Sequence, residues 1–322
     1  DGLPDNLVGS ILRTRDGALW IGAHTGLARF DGRNFSQPAK GLGPCEGILN
    51  LHQSQDGAIW YCAPGLRGVY RFDGQTLFRL GAEEGLSNDV VYDIAETSDG
   101  TLWFGTDGGI SSFDGTTILN YTVEDGLGGG WVRDIFVDSD DVIWCANGLG
   151  VSRFDPRGIV HYSNRDGLHN LEGGVVPVSV IEPDSEDGFW LGTSWADVYR
   201  TDSKKFQHIG PPQPSQSLNR SLILNVRQIH RADGGKVWFG TQDGIYAFAG
   251  GQLVRVLQRT YVMALCSDAQ GDLWYGHGWA GPGLSRYDPK TGDSATFNAA
   301  EGLSLDQVWS VERSPDRGLW IG

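Results

Sequence analysis

Nine residues of this 322-residue chain combine ligand-binding chemistry with positions that break an otherwise regular repeat. Aromatic rings near a concavity can pack against the C–H face of a sugar, and arginine forks suit carboxylates. The sequence therefore predicts a site for a small-molecule or oligosaccharide ligand, formed by Trp131, Arg133, Trp195, Arg220, Arg227, Arg259, Tyr261, His277 and Trp279.

Two tryptophans and three arginines give this prediction its chemistry. Trp195 and Trp279 occupy a turn in which other repeats carry Gly or Asp, so the repeat does not demand a tryptophan there. Arg220, Arg227 and Arg259 fall in successive repeats of an acidic chain, and they suit ligand carboxylates such as those of uronic acids. The alternatives are lids or domain contacts for the tryptophans and internal ion pairs for the arginines.

A site like that of the propeller lyases, which act on uronic-acid polymers, is a second hypothesis. Arg259, Tyr261 and His277 fall in one repeat, and a His/Tyr pair can abstract and return a proton while Arg neutralises a carboxylate. His277 also has a simpler interpretation as a hydrogen-bonded turn residue, as does His24 in the equivalent turn. A protein-interaction or dimerisation scaffold is the third hypothesis. We favour the non-catalytic ligand site and expect no catalytic residue, cofactor or metal site.

The elements that position these residues follow from a recurring tryptophan. It stands in frames such as DGALWIG and DGTLWFG, at intervals of 36 to 48 residues, at Trp20, Trp60, Trp103, Trp144, Trp190, Trp238, Trp274 and Trp320. A period in this range, with several short strands per unit, is typical of β-propeller blades. We predict an all-β propeller of seven four-stranded antiparallel blades and a terminal half-blade; an eight-bladed or open ring is the alternative.

Each repeat reads as four short strands joined by Gly/Asp turns. In residues 86–125 the segments VVYDIAET, TLWFGT, ISSFDG and TTILNYT form the strands. The tryptophan should pack between adjacent blades and donate its N–H to a nearby carbonyl. The aspartates of the Asp-Gly and Phe-Asp pairs should cap turns rather than bind calcium, because no loop offers the spaced carboxylates of a calcium site.

The repeat sets the predicted boundaries. A single propeller spans 1–322, with blades at about 1–40, 41–83, 84–125, 126–165, 166–210, 211–258 and 259–300 and a half-blade at 301–322. The half-blade restates the opening of the chain, so we expect a fragment of a longer repeat protein. In such blades the loops before the first strand and between the second and third strands emerge at one end, where the nine residues should gather.

Composition restricts the partners. The net charge of −15 disfavours nucleic acid and anionic membrane surfaces. No apolar run approaches the roughly 20 residues that span a bilayer, so this fragment should not insert into a membrane.

The four cysteines lack metal-ligand spacing and are predicted to be free and buried: Cys45, Cys62, Cys145 and Cys266. A Cys45–Cys62 bridge is the alternative.

The motif order resembles that of the two-component-regulator propeller repeat. The matching segments are DGLPDNLV, EEGLSNDVVYDI, TLWFGTDGGISSFDG and ALWIGAHTGLARFDG, while the fifth and sixth repeats depart most and 211–222 is an insertion. This repeat forms the extracytoplasmic sensor part of bacterial hybrid two-component systems and related receptors. The resemblance implies a periplasmic or extracellular sensor that recognises a carbohydrate or similar molecule, with a possible homodimer through the receptor.

Overall fold

The computed structural model describes most of the chain. The described residues are 3–5, 7–41, 47–62, 65, 67–155, 158–169, 176–184, 188–194, 197–201, 205–210, 225–258, 260–278, 281–303, 307–314 and 318–322. Four of the nine predicted site residues, Trp195, Arg220, Arg259 and Trp279, lie outside them, as does Cys45.

Seven four-stranded antiparallel sheets and one two-stranded sheet make up the fold, which is therefore an all-β propeller as predicted. The first blade contains β1 (Val8–Arg13), β2 (Leu19–Ala23), β3 (Gly26–Phe30) and β4 (Phe35–Ser36). The second contains β5 (Asn50–Gln53), β6 (Ile59–Cys62), β7 (Val69–Phe72) and β8 (Leu77–Leu80). The third contains β9 (Val91–Glu96), β10 (Leu102–Thr106), β11 (Gly109–Phe113) and β12 (Ile118–Tyr121). The fourth contains β13 (Val132–Val137), β14 (Ile143–Asn147), β15 (Gly150–Asp155) and β16 (Gly158–Tyr162).

The remaining sheets follow the same order. The fifth blade contains β17 (Val178–Pro183), β18 (Phe189–Thr193), β19 (Val198–Thr201) and β20 (Phe206–His208). The sixth contains β21 (Val226–Arg231), β22 (Val237–Thr241), β23 (Gly244–Ala249) and β24 (Gln252–Gln258). The seventh contains β25 (Val262–Ser267), β26 (Leu273–His277), β27 (Leu284–Tyr287) and β28 (Ser294–Phe297). The half-blade is the pair β29 (Val311–Arg313) and β30 (Leu319–Ile321).

The chain forms two compact units, Asp1–His161 with Gly322 and Tyr162–Ile321. The predicted single domain and the closure of its ring stay predictions. Helical structure among the described residues is limited to four three-residue 3-10 turns, each ended by a left-handed glycine, at Ala82–Glu84, Val123–Asp125, Asn164–Asp166 and Ala299–Glu301.

The recurring tryptophan packs between adjacent blades within each unit. In the first unit, Trp60 of β6 lies 5.7 Å, centroid to centroid, from Phe104 of the next blade. In the second unit, Trp190 of β18 lies 5.4 Å from Phe239 in the same way. Trp60 and Trp190 are 2% and 1% exposed, so each supplies a large apolar contact that keeps its blade against the next. The predicted anchor role is confirmed.

The predicted partner of the tryptophan N–H is wrong. Trp60 donates to Ser54 Oγ, Trp144 to Asp138 Oδ2 and Trp274 to Asp268 Oδ2, at 2.8 to 3.1 Å. The acceptor is a side chain six residues upstream rather than a carbonyl, because the indole reaches the residue that opens the preceding turn. Trp103 and Trp190 find no acceptor among the described residues.

The aspartates cap turns, as predicted. Asp16 Oδ1 accepts from the backbone N–H of Ala18 at 3.1 Å, and Asp114 Oδ1 accepts from those of Thr116 and Thr117 at 2.8 and 2.7 Å. These N–H donors lower the pKa of Asp114. The two kinds of Asp turn therefore satisfy backbone donors within their own turns.

The first strand of most blades carries a β-bulge near its start. In β1, β9, β13, β17, β21 and β25 the pairing with the second strand skips one residue, namely Gly9, Tyr92, Arg133, Ser179, Arg227 and Met263. A bulged residue has no partner in the ladder, and the bulge re-aims its side chain. Two of the nine predicted site residues, Arg133 and Arg227, occupy this position.

The residue after the bulge links neighbouring blades. Asp93 accepts from Asn50 Nδ2 of the blade before it and from the Ile135 N–H of the blade after it, both at 2.7 Å. In the second unit, Gln228 Oε1 accepts from the Leu265 N–H at 2.6 Å. Burial raises the pKa of Asp93. These bonds hold the bulges of the third and sixth blades in a fixed position relative to the next blade.

Candidate functional site

Backbone hydrogen bonds place two sets of loops at one end of the blades. The amide that follows the second strand donates to the carbonyl just before the first strand, from Asp107 to Val90 at 3.0 Å, from Ser194 to Pro177 at 3.0 Å and from Gly278 to Tyr261 at 2.9 Å. The predicted grouping of these loops is confirmed in these blades. The bulges lie beside them, so bulged side chains and turn residues share this end.

In the first unit, two adjacent blades bring four side chains together, which we name the Arg133 cluster: Tyr92, Asp107, Trp131 and Arg133. The guanidinium carbon of Arg133 lies 4.9 Å from the ring centroid of Tyr92 on the preceding blade. It lies 5.2 Å from the ring centroid of Trp131, which precedes β13. Both distances fit cation–π contacts. Two of the nine predicted site residues, Trp131 and Arg133, thus contact each other.

Tyr92 connects the Arg133 cluster to the turn between β10 and β11. Its hydroxyl donates to Asp107 Oδ1 at 3.1 Å. Burial and the nearby Asp107 carboxylate raise the pKa of Tyr92, so the phenol stays protonated at neutral pH and keeps donating. The Tyr92 ring beside Arg133 is therefore held by the β9 backbone at one end and by the hydrogen bond to Asp107 at the other.

Trp131 lies against the turn between β14 and β15. A Cβ added to Gly148 would stand 3.0 Å from the Trp131 indole, so this position leaves no free space for a side chain. Leu149, in the same turn, is 48% exposed. An apolar surface therefore borders the cationic head of Arg133.

In the second unit, two adjacent blades form a smaller group, which we name the Arg227 cluster: Arg227, Gln242 and Tyr261. Arg227 donates to the Tyr261 hydroxyl at 2.9 Å and lies 5.8 Å from its ring centroid. Gln242 Nε2 reaches the same hydroxyl at 3.4 Å. The predicted residues Arg227 and Tyr261 are thus in direct contact, with the Tyr261 oxygen held by two donors.

His277 is placed differently from the other predicted residues. It is 5% exposed, and its Nε2 lies 2.7 Å from Ser285 Oγ inside its own blade. Ser285 in turn lies 2.9 Å from Thr296 Oγ1. Burial lowers the pKa of His277, which favours the neutral ring. The structure brings His277 into a strand-to-strand hydrogen-bond chain, and no hydrogen bond joins it to Tyr261.

Sequence reasoning missed Tyr92, Asp107 and Gln242. Asp107 and Gln242 occupy turn positions in which the repeat commonly places polar residues, and Tyr92 occupies a strand position for which the repeat motif specifies no residue type. A signal did exist, because Tyr92 and Arg133 both stand one residue after the valine that opens the first strand. Aligning the first strands would have shown that this column varies between repeats.

A separate cavity of about 500 Å³ lies between the second and third blades, at the opposite end from the Arg133 cluster. Its lining includes Phe78, Arg71 and Asp114. Arg71 is paired with Asp56 at 2.7 Å, an arrangement that Arg29 and Asp16 repeat in the first blade. The Arg71–Asp56 pair of this cavity therefore recurs as a structural ion pair of the repeat. None of the predicted site residues lines the cavity.

Two further predictions concern the cysteines and membrane insertion. Cys62, Cys145 and Cys266 are free and buried, as predicted. Burial raises the pKa of Cys266 to about 11, and it raises those of Cys62 and Cys145 further, so all three remain thiols at neutral pH. No helix formed by the described residues is long and apolar enough to cross a membrane.

These features define a repeat protein of the β-propeller class, whose candidate site is built from bulged first-strand residues and their neighbouring rings. Residues 2–25 and 85–108 match a family model described as the two component regulator propeller. The resemblance predicted from the motifs is thus confirmed in these two segments. None of the curated proteins matches the sequence.

Solved structures with the same fold are distant in sequence. The extracellular domain of BT4673 from B. thetaiotaomicron, described as a hybrid two component system, is 15% identical with a TM-score of 0.59 and covers 100% of this chain and 50% of its own. PorZ of Porphyromonas gingivalis, a bacterial surface component of the type-IX secretion system, is 18% identical with a TM-score of 0.58 and covers 99% and 52%. Virginiamycin B lyase from Staphylococcus aureus is 16% identical with a TM-score of 0.61 and covers 86% and 94%. The chain thus spans about half the length of the first two proteins.

Proposed function

We propose that this chain is the non-catalytic, ligand-sensing propeller of a bacterial signalling receptor, placed outside the cytoplasm, and that it recognises a carbohydrate or similar small molecule. Its two component regulator propeller repeats support the signalling role. The similarity to extracellular domains of sensor systems supports the location. A signalling receptor of this kind would carry its output module outside the propeller.

The observation that carries the proposal is the Arg133 cluster. Arg133 is exposed, Tyr92 and Trp131 are half-buried, and all three come from the bulge end of two neighbouring blades. Half-buried rings beside an exposed polar head suit a ligand with an apolar face and polar groups at its edge, as a sugar ring has. The ladder requires neither the rings nor the arginine, because the bulge removes Tyr92 and Arg133 from strand pairing.

Ligand-dependent thermal stabilisation tests this proposal. The purified chain is screened against an oligosaccharide panel, and a ligand present at 100 times its Kd should stabilise the fold by about 2.7 kcal/mol, which raises Tm. Trp131→Ala should abolish the shift while the variant stays folded. Phe78→Ala is the matched control, because this 44% exposed ring lies on β8, away from the cluster. Equal shifts in both variants would contradict the site.

The lyase hypothesis has one observation in its favour, the contact of Arg227 with the Tyr261 hydroxyl. Such a pair could lower the barrier to proton transfer if a base stood nearby. Against it, His277 uses its Nε2 within its blade. Incubation with an acidic polysaccharide separates the two functions, since a lyase forms an unsaturated product that absorbs in the ultraviolet, whereas a sensor binds without turnover.

A scaffold function makes a third prediction. The panel would then produce no thermal shift, and light scattering would show a stable dimer of the purified chain. A monomer that binds a saccharide would instead support the sensor.

A further inference from the structure

We propose that Arg133 reads an anionic group of the ligand, a carboxylate above all, and is the specificity-determining residue of the Arg133 cluster. This inference rests on the proposed function and adds a chemical requirement to it: the ligand is acidic. The carrying observation is a guanidinium that two rings position and that no carboxylate among the described residues neutralises.

The first step concerns how Arg133 is held. Its guanidinium carbon stands over the rings of Tyr92 and Trp131 at 4.9 and 5.2 Å. Cation–π contacts use the face of the guanidinium and leave its five in-plane N–H donors available. The rings therefore fix the orientation of the fork without occupying it, which lowers the conformational entropy lost when a ligand binds.

The second step concerns the missing counter-charge. Among the residues that the structure describes, no carboxylate forms an ion pair with Arg133, and its guanidinium donates no hydrogen bond to any of them. This contrasts with Arg153, Arg200 and Arg286, which pair with aspartates of their own blades. The contrast is informative because the chain has 40 acidic and only 25 basic residues. In the described part of the chain, the guanidinium of Arg133 therefore keeps its positive charge uncompensated.

The third step concerns the charge that surrounds the fork. The carboxylate of the cluster is Asp107, and it accepts the Tyr92 hydroxyl rather than pairing with Arg133. It therefore orients the ring while it repels an incoming anion. Replacing Asp107 with Asn keeps an oxygen acceptor for Tyr92 and removes that repulsion.

The shape of the fork favours a planar anion. Arginine presents two parallel N–H groups that match a carboxylate bidentately, whereas lysine offers a point charge. Trp131 and the exposed Leu149 supply an apolar surface beside it. The ligand that this arrangement fits carries a carboxylate on a body with an apolar face, which a uronic acid and a small non-sugar carboxylic acid share.

Matched probes test the inference. Calorimetry compares oligogalacturonates with the same oligomers methyl-esterified, and galacturonate with benzoate and hexanoate, on the wild-type chain. The oligogalacturonate should bind about 10- to 100-fold more tightly than its methyl ester, because a charge-assisted hydrogen bond contributes about 1.5 to 3 kcal/mol. Arg133→Ala should remove this preference, Arg133→Lys should keep part of it, and Asp107→Asn should increase it. Binding of the sugar pair identifies a uronic acid, and binding of benzoate or hexanoate alone identifies a non-sugar acid.

A matched arginine provides the control. Arg255 lies 5.6 Å from the Tyr246 ring centroid, but it also pairs with Asp243 at 3.5 Å, so Arg255→Met should leave the preference intact. Equal binding of acid and ester, unaltered in Arg133→Ala, would overturn the inference and leave the proposed sensor standing. Absence of binding by every probe, with no thermal shift on the neutral panel, would overturn both.

Discussion

Tyr92 and Arg133 belong to adjacent blades, and the guanidinium carbon of Arg133 lies 4.9 Å from the ring centroid of Tyr92. Both residues occupy the bulge of their strands. A pair of residues that the ladders leave unpaired is therefore joined across the boundary between two blades. Residues of two neighbouring repeats together form the candidate site, so a single repeat does not contain it.

The ring of Tyr92, more than its hydroxyl, should support Arg133. Tyr92→Phe removes the bond to Asp107 but keeps the cation–π contact, so we expect ligand affinity within about two-fold of the wild type. Tyr92→Leu removes the ring and should weaken binding by about 0.5 to 1 kcal/mol. Isothermal titration with the tightest ligand found measures both. Equal losses in the two variants would show that the hydroxyl is the important group.

Two equally buried tryptophans should differ in their response to phenylalanine. Trp60 and Trp190 are 2% and 1% exposed, but only Trp60 has a described acceptor, Ser54 Oγ at 3.1 Å. Trp60→Phe loses apolar area and leaves a buried hydroxyl with one partner fewer, whereas Trp190→Phe loses area alone. We expect Trp60→Phe to cost about 1 kcal/mol more, measured by urea unfolding. A greater loss at Trp190 would contradict the role of the hydrogen bond.

The contribution of Glu182 to the stability of the protein should fall between mildly acidic and neutral pH. Burial raises the pKa of Glu182 from 4.5 to about 7, an effect that Arg231 partly opposes. The folded state then binds more protons than the unfolded state between these two values, so the free energy of unfolding decreases as pH rises through that window. Below pH 4.5 both states are protonated and the penalty vanishes.

Glu182→Gln tests this dependence. The variant should match the wild type at pH 4 and exceed its free energy of unfolding by about 1 to 3 kcal/mol at pH 8, at roughly 1.4 kcal/mol per pKa unit. Glu124→Gln, at an exposed position in a 3-10 turn, is the control and should show no such rise. A constant difference at all pH values would indicate a packing effect.

Two glycines of the third blade should tolerate alanine very differently. Gly109 has φ of +128°, and a Cβ there would stand 2.3 Å from the Tyr121 carbonyl oxygen. Gly115 has φ of +95° but nothing within 4 Å of its added Cβ. Gly115→Ala should cost about 1 kcal/mol from backbone strain alone, and Gly109→Ala should cost about 3 kcal/mol or more. Thermal and urea unfolding of the pair decide it.

Much of the fold could be predicted from the chain because the repeat states each structural role several times. The Asp-Gly turns, the tryptophan spacing and the alternating strands all agree, so the seven four-stranded antiparallel sheets could be predicted. The site was less predictable. Tyr92 fits its repeat well and gains its role only from Arg133, some 40 residues further along the chain.

His277 shows the opposite limit. Its position in a turn suggested a residue open to ligand, but its ring turns inward to Ser285, whose hydroxyl bonds Thr296 on the next strand. The three residues occupy three strands of one blade, and no local pattern connects them. Which way a polar side chain faces is decided by partners that the sequence separates.

The bulge has an evolutionary consequence. Its residue makes no contribution to the ladder, so Gly, Tyr, Arg, Ser and Met can all stand in that column while the surrounding strands keep the same register. Selection can therefore change the bulge residue of one blade at a time without altering the pairing of the strands. In a fold of this kind, ligand specificity could change through substitutions of the bulge residues alone, while the strands keep their pairing.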